Sequence, residues 1–221
     1  MIKWLTLCGM CMIVMGMHAQ APTRWLEVGL SANAYKGDLS ATYRQWTPLY
    51  HAALHFNRKK RLNGSLQLAV GRITGQSLQP RFTEDIPAER NPNTSFTTSL
   101  VAAQYALRLN VISREHFKLY VMQGAGLLRY APKDQEGKRL ADQSATRAPN
   151  ENYGVVTLML PTSLGAVYTF PNYYGVGFQA GWFNAMSDYL DNVGTYGTRQ
   201  GNDRIASYRF MFWIPLDAQQ P

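Results

Sequence analysis

Eight segments of this chain alternate apolar and polar side chains with a period of two, and helical periodicity is hard to find anywhere. That period places successive side chains on opposite faces of a strand, so the chain reads as a series of half-oily strands. In the first, Leu26, Val28, Leu30, Ala32 and Ala34 alternate with Glu27, Gly29, Ser31 and Asn33. The second sets Tyr50, Ala52, Leu54 and Phe56 against His51, Ala53 and His55, and the third sets Leu66, Leu68 and Val70 against Ser65, Gln67 and Ala69. The fourth spans Val101 to Asn110. The fifth, Phe117 to Tyr130, is less regular because Gln123 interrupts its oily face. The sixth, Val155 to Phe170, contains Pro161, which cannot donate to a strand ladder and so predicts a bulge or a weakened pairing position. The seventh carries Tyr174, Val176, Phe178, Ala180 and Trp182 on one face, and the eighth carries Tyr208, Phe210, Phe212 and Ile214.

The connections alternate in length. Those near 35–48, 74–96, 131–153 and 184–203 are long and rich in Pro, Asn, Asp, Arg and Gly, whereas those near 58–63, 111–116 and 171–172 are short. Bacterial outer-membrane barrels have short periplasmic turns and long outer loops, so all four long loops fall on one side. A soluble β-sandwich would also alternate. Two features favour the barrel: aromatics such as Tyr50, Tyr105, Tyr174, Trp182, Tyr208 and Phe212 sit near strand ends on the oily face, and the last strand is itself aromatic. The expected fold is all-β: an eight-stranded antiparallel up-and-down transmembrane β-barrel. At about eight strands the lumen is filled by side chains, which argues against a wide pore.

At the N-terminus, Lys3 precedes an apolar stretch from Trp4 to Met17 that ends in Ala19, Gln20 and Ala21. This is the layout of a secretory signal peptide, and the stretch falls short of the roughly 20 residues of a membrane-spanning helix. We expect a signal peptide over residues 1–19 and a barrel domain over 20–221. Cleavage after Ala19 or after Ala21 is open, and Pro22 makes the second less attractive. Cys8 and Cys11 lie inside this segment, so the mature chain has no thiol, disulfide or cysteine metal ligand. The net charge of +8 raises nucleic acid as a partner, but the basic residues are scattered and export argues against it.

The polar face includes Glu27, Arg72, Arg108, Lys118 and Arg209. Glu27 and Arg209 lie on strands that become neighbours on closure, and we read them as a lumen ion pair that sets closure and register. His51 and His55 share one face, but four residues at about 3.4 Å each put their backbones roughly 13 Å apart, too far for one metal ion. Polar filling of the lumen is the better reading. No Ser, His and acid set can be placed together on one rim, which argues against a lipid-modifying enzyme. Asp38, Asp188 and Asp191 could supply oxygen ligands to calcium, but Asp and Gly are also ordinary turn formers, and that reading is preferred. No cofactor, metal or small-molecule substrate is expected.

Three motifs resemble the PorG-like outer-membrane β-barrel family of the Bacteroidetes, associated with type IX secretion. They are YKGDL (Tyr35, Gly37, Asp38 and Leu39 in particular), LPTSLGAVY with Pro161 and Gly165, and SDYLDNV with Asp188, Tyr189, Leu190 and Asp191. The last is the most specific, because a generic barrel has no need of that order at that place. The resemblance implies a non-enzymatic scaffolding subunit in the outer membrane whose periplasmic side meets a lipoprotein-containing secretion ring. The basic turn Arg58, Lys59, Lys60 and Arg61 would face that side, although a solvated turn is the plainer reading. The alternatives are a lipid-modifying enzyme, or a surface receptor or adhesin acting through the loops 74–96 and 131–153.

Overall fold

The computed structural model describes residues 22–56, 61–83, 86–199 and 201–217. The expected signal peptide and the basic residues Arg58, Lys59 and Lys60 lie outside them. Eight antiparallel strands close into one barrel: β1 (Arg24–Lys36), β2 (Trp46–Phe56), β3 (Leu62–Gln76), β4 (Ser95–Ser113), β5 (Phe117–Lys133), β6 (Val156–Thr169), β7 (Gly175–Ala185) and β8 (Arg204–Pro215). Each strand pairs with its sequence neighbour, and β1 closes on β8 from Trp25 opposite Pro215 to Lys36 opposite Arg204. Closure leaves no sheet edge, which is what a sheet needs in order to sit in hydrocarbon.

The alternation divides inside from outside. Outward positions such as Leu158 and Phe210 are 63% and 61% exposed, and they belong to a continuous apolar belt. A belt of that size is untenable in water and is the normal surface of a barrel in lipid. On β4 it runs from Val101 to Val111, ten steps that at about 3.4 Å each and a tilt of about 40° span roughly 26 Å. Aromatics border it at both levels. Trp46 stacks on Tyr208 at 5.3 Å near the loop end, and Tyr174 stacks on Phe212 at 5.9 Å near the turn end.

Inside, an apolar cluster at the turn end (Trp25, Ala106, Tyr120, Met122, Met211 and Trp213 among others) and a larger one at the loop end enclose a polar middle layer. Gly165 on β6 is required here, because a Cβ would lie 2.4 Å from the Tyr120 ring.

The structure departs from the sequence reading at strand ends and at Arg72. β4 begins at Ser95, well before the expected segment, and β1 reaches Lys36, so Tyr35 is a strand residue rather than a loop residue. Arg72 points outward, in phase with Leu66, Leu68 and Val70, and not into the lumen. Gln123 points outward, as its place on the oily face implied, and Thr162 Oγ1 donates to its Oε1 at 2.7 Å, which satisfies both groups against lipid. The β5–β6 ladder skips from the pair Gln123 and Thr162 to the pair Gly126 and Met159, so the interruption falls at Pro161, where weakened pairing was expected.

Candidate functional site: a capped loop end over a filled lumen

The polar middle layer is built from one residue in two along each strand. Glu27 of β1, fully buried, receives His55 Nε2 at 2.7 Å and Arg209 Nη1 at 3.3 Å. The ladder pairs Glu27 with Trp213 and Arg209 with Ser31, so this contact is a diagonal reach across the lumen and not a cross-strand pair. Arg209 also donates to Gln67 Oε1, which accepts Gln104 Nε2 at 2.8 Å. The His55 ring stacks on Trp213 at 4.1 Å, and the Arg108 guanidinium lies over both Trp213 and Tyr120. A buried charge is tolerable only when paired and hydrogen-bonded, and this network meets that requirement for Glu27. The space between His51, Gln67, Gln104 and Arg209 is too small for a water molecule.

His51 Nε2 lies 2.6 Å from Ser31 Oγ. Among the described residues no group hydrogen-bonds the other ring nitrogen, and the only carboxylate nearby, Glu27, is engaged with His55. Both members are buried in the lumen wall. The pair has the atoms of a nucleophile and base, but no orienting acid and no substrate access.

Over the loop end sits a cap made from all four long connections, residues 37–45, 77–83 with 86–94, 134–155, and 186–199 with 201–203. Its hub is the segment 187–193. Asp191, fully buried, accepts Val193 N on Oδ1 at 2.9 Å, and on Oδ2 accepts Leu39 N at 3.3 Å and the Tyr35 hydroxyl at 2.5 Å. The same hydroxyl is 2.8 Å from Asp203 Oδ1, while Asp203 Oδ2 accepts Leu190 N at 2.9 Å. A phenol has one proton, so it can donate to only one of the two carboxyls. The other contact becomes a hydrogen bond only if that carboxyl is itself protonated and donates to the phenol oxygen. Burial is the main cause that raises the carboxyl pKa of both Asp191 and Asp203, and each is raised further by a neighbouring acid.

Asn192 ties the remaining loops together. It adopts a left-handed φ of 71°, which Asn tolerates better than most residues. Its Oδ1 accepts Arg147 Nη1 and the Tyr153 hydroxyl, both at 2.9 Å, and its Nδ2 donates to Asn93 and Thr146. Glu151 accepts the Tyr189 hydroxyl at 2.8 Å and the Thr195 amide. Tyr130, Tyr153 and Tyr189 stack in a row beneath, with centroids 5.9 and 4.7 Å apart. Arg199 N donates to Asp38 Oδ1 and its side chain to Gly37 O, locking the fourth loop onto the first.

Of the residues singled out in the sequence, Tyr35, Gly37, Leu39, Leu190 and Asp191 come together at this hub, although YKGDL and SDYLDNV are some 150 residues apart. Asp38 stands at its edge with Arg199. Asp188 is half-buried beside it, and burial, with Asp38, Asp191 and Glu151 adding repulsion, pushes its carboxyl up to about 7. Tyr189 serves the Glu151 arm. Pro161 and Gly165 are elsewhere, on the lumen side of β6. Arg61 is exposed at the opposite end. Among the described residues no three of His, Cys, Asp or Glu are arranged to hold a metal, and both Asp191 oxygens are already committed within the hub. Sequence reasoning missed Asp203, Asn192, Arg147 and Glu151. Only Asn192, inside the SDYLDNV motif, carried any warning.

No family model and no curated protein matches the chain. Solved structures do. Neisserial surface protein A is similar at 12% identity with a TM-score of 0.52, covering 89% of this chain and 99% of that one. The attachment invasion locus protein of Yersinia pestis, in complex with the heparin analogue sucrose octasulfate, is similar at 8% identity with a TM-score of 0.50, covering 88% and 98%. At such identities the likeness is one of fold. The chain is an eight-stranded β-barrel of the outer-membrane type.

Proposed function

We propose that this protein is a non-enzymatic integral barrel of the Gram-negative outer membrane, exported by its signal peptide, that serves type IX protein secretion as a scaffolding subunit. The carrying observation is the joining of the two motifs that resemble the PorG-like family: Tyr35 and Leu39 of the first meet Asp191 of the second in the cap. The filled lumen and the braced cap suit a rigid anchor better than a pore or an enzyme, which needs an open site. Its periplasmic turns, including the one with Arg58, Lys59, Lys60 and Arg61, would meet a ring that contains a lipoprotein. The test is co-purification from cross-linked outer membranes, comparing wild type with a chain in which those four residues are replaced by Ser. Recovery of ring components with wild type and their loss from the variant is expected. Failure of wild type to recover any of them overturns the scaffold reading.

One observation favours a second reading, a surface receptor. The Yersinia structure holds a sulfated ligand, and the loops of this chain expose Arg44, Arg81 and Arg139. Deleting residues 77–94 separates the two: a receptor loses its ligand, while a scaffold keeps its partners.

A further inference from the structure

The outward faces of the strands carry charge of one sign and mostly at one end. Glu27, which points inward, is the only carboxylate on any strand. Six cations point outward, and five of them, Lys36, Arg72, Arg129, Lys133 and Arg204, stand at the loop end, with Arg24 alone at the turn end. None of the five belongs to an ion pair among the described residues.

Three of them surround one spot. Arg72 lies opposite Ser99, which in turn lies opposite Ala131, midway between Arg129 and Lys133 on β5. Two strand spacings put the backbone of Arg72 about 10 Å from that of Ala131, and four residues put Arg129 and Lys133 about 13 Å apart. Side chains of this length reach a common point above β4. The floor there is Ser99 and Thr97, both small and hydroxyl-bearing and both on the outward face. The group sits immediately above the apolar belt, one outward position beyond Val70 on β3 and Leu127 on β5. That is the depth of lipid headgroups on the outer leaflet.

Resting on the placement of this barrel in an outer membrane with its long loops outside, we infer that Arg72, Arg129 and Lys133 form a binding site for the phosphorylated headgroup of an outer-leaflet glycolipid. Guanidinium forks and an ammonium recognise phosphate oxygens, and the hydroxyls of Thr97 and Ser99 face the sugar. No strand carries an outward carboxylate to repel such a ligand, and the loop acid Asp134, which follows Lys133, is occupied by Lys138 N and Gln143 Nε2. Lys36 and Arg204, adjacent across the β1–β8 seam on the other side of the barrel, provide a control patch of the same sign with Trp46 and Tyr208 beneath it.

The test is native mass spectrometry of the full barrel from detergent containing equal amounts of diphosphoryl lipid A, phosphate-free lipid A and phosphatidylglycerol. Wild type is expected to retain diphosphoryl lipid A at least tenfold over either competitor, and the triple variant R72E/R129E/K133E is expected to lose that preference, whereas K36E/R204E keeps most of it. Equal retention of phosphate-free lipid A or of phosphatidylglycerol, or an undiminished preference in the triple variant, overturns the site. Heat-dependent migration on a gel is read alongside: its absence in wild type faults the barrel placement and not the site. If charge reversal prevents insertion, R72Q/R129Q/K133Q carries the test, with a loss of severalfold expected and no loss contradicting the assignment.

Discussion

The hydroxyl of Tyr35, at the top of β1, donates to Asp191 in the last long loop across 2.5 Å, joining residues 156 positions apart in the chain. Replacing Tyr35 with Phe removes the hydroxyl that lies between the buried carboxyls of Asp191 and Asp203. The expected cost is about 1–3 kcal/mol, taken locally from the cap, because unsatisfied buried polar groups carry a penalty of that size. Hydrogen exchange should quicken over residues 186–203 and 37–45 while the strands remain protected.

The same hub makes the cap sensitive to pH. The folded-state carboxyls of Asp191 and Asp203 titrate above their ordinary value of 3.8, and burial is the largest cause for both. Asp188 is moved the same way, to about 7, and Asp38 is raised by burial against the opposing pull of Arg199. The folded cap therefore binds more protons than the unfolded loops between about pH 4 and 7, so its stability falls as pH rises through that window. Limited proteolysis should nick the loops faster at pH 8.5 than at pH 5.5. A rate that is independent of pH, after correction for the protease itself, would count against the shared proton.

A small side chain is enough to disturb this hub. A Cβ at Gly37 would lie 1.7 Å from the Tyr35 hydroxyl and 2.1 Å from Asp203 Oδ1. Gly37→Ala should open the cap as Tyr35→Phe does, and combining the two should cost less than their sum, since both act on one contact. Exchange protection measured across the four proteins checks this.

The lumen network predicts a different pattern. Glu27→Leu leaves Arg209 and His55 without their carboxylate and should cost about 3–5 kcal/mol, the range for breaking a buried pair from one side. Removing both charges in Glu27→Leu with Arg209→Met should recover much of that loss, because the desolvation of the stranded guanidinium disappears with it. Urea unfolding in lipid vesicles, followed by gel migration, gives the four stabilities needed.

Much of the fold was legible because lipid and lumen impose opposite demands on alternate residues, and a period of two records that directly. Leu26 to Ala34 and Tyr208 to Ile214 are examples. Positions that break the demand were only partly legible. Arg72 is a cation on the outward face, where headgroups rather than hydrocarbon meet it, so a polar residue was assigned to the wrong side. Gln123 was legible as a break in the oily face of β5, but Thr162 on the neighbouring strand answers it, a pairing that only the register reveals. In the cap, Tyr35 and Asp191 stood out through a resemblance of motifs. Asp203 and Glu151 did not, because loop residues that brace one another across long sequence separations leave no local pattern.

The scaffold reading is tested most directly by measuring type IX cargo in the culture medium of a strain lacking this gene, with and without a plasmid copy. The account predicts that cargo accumulates in the periplasm of the deletion strain and returns to the medium on complementation. Undiminished secretion from the deletion strain would contradict it.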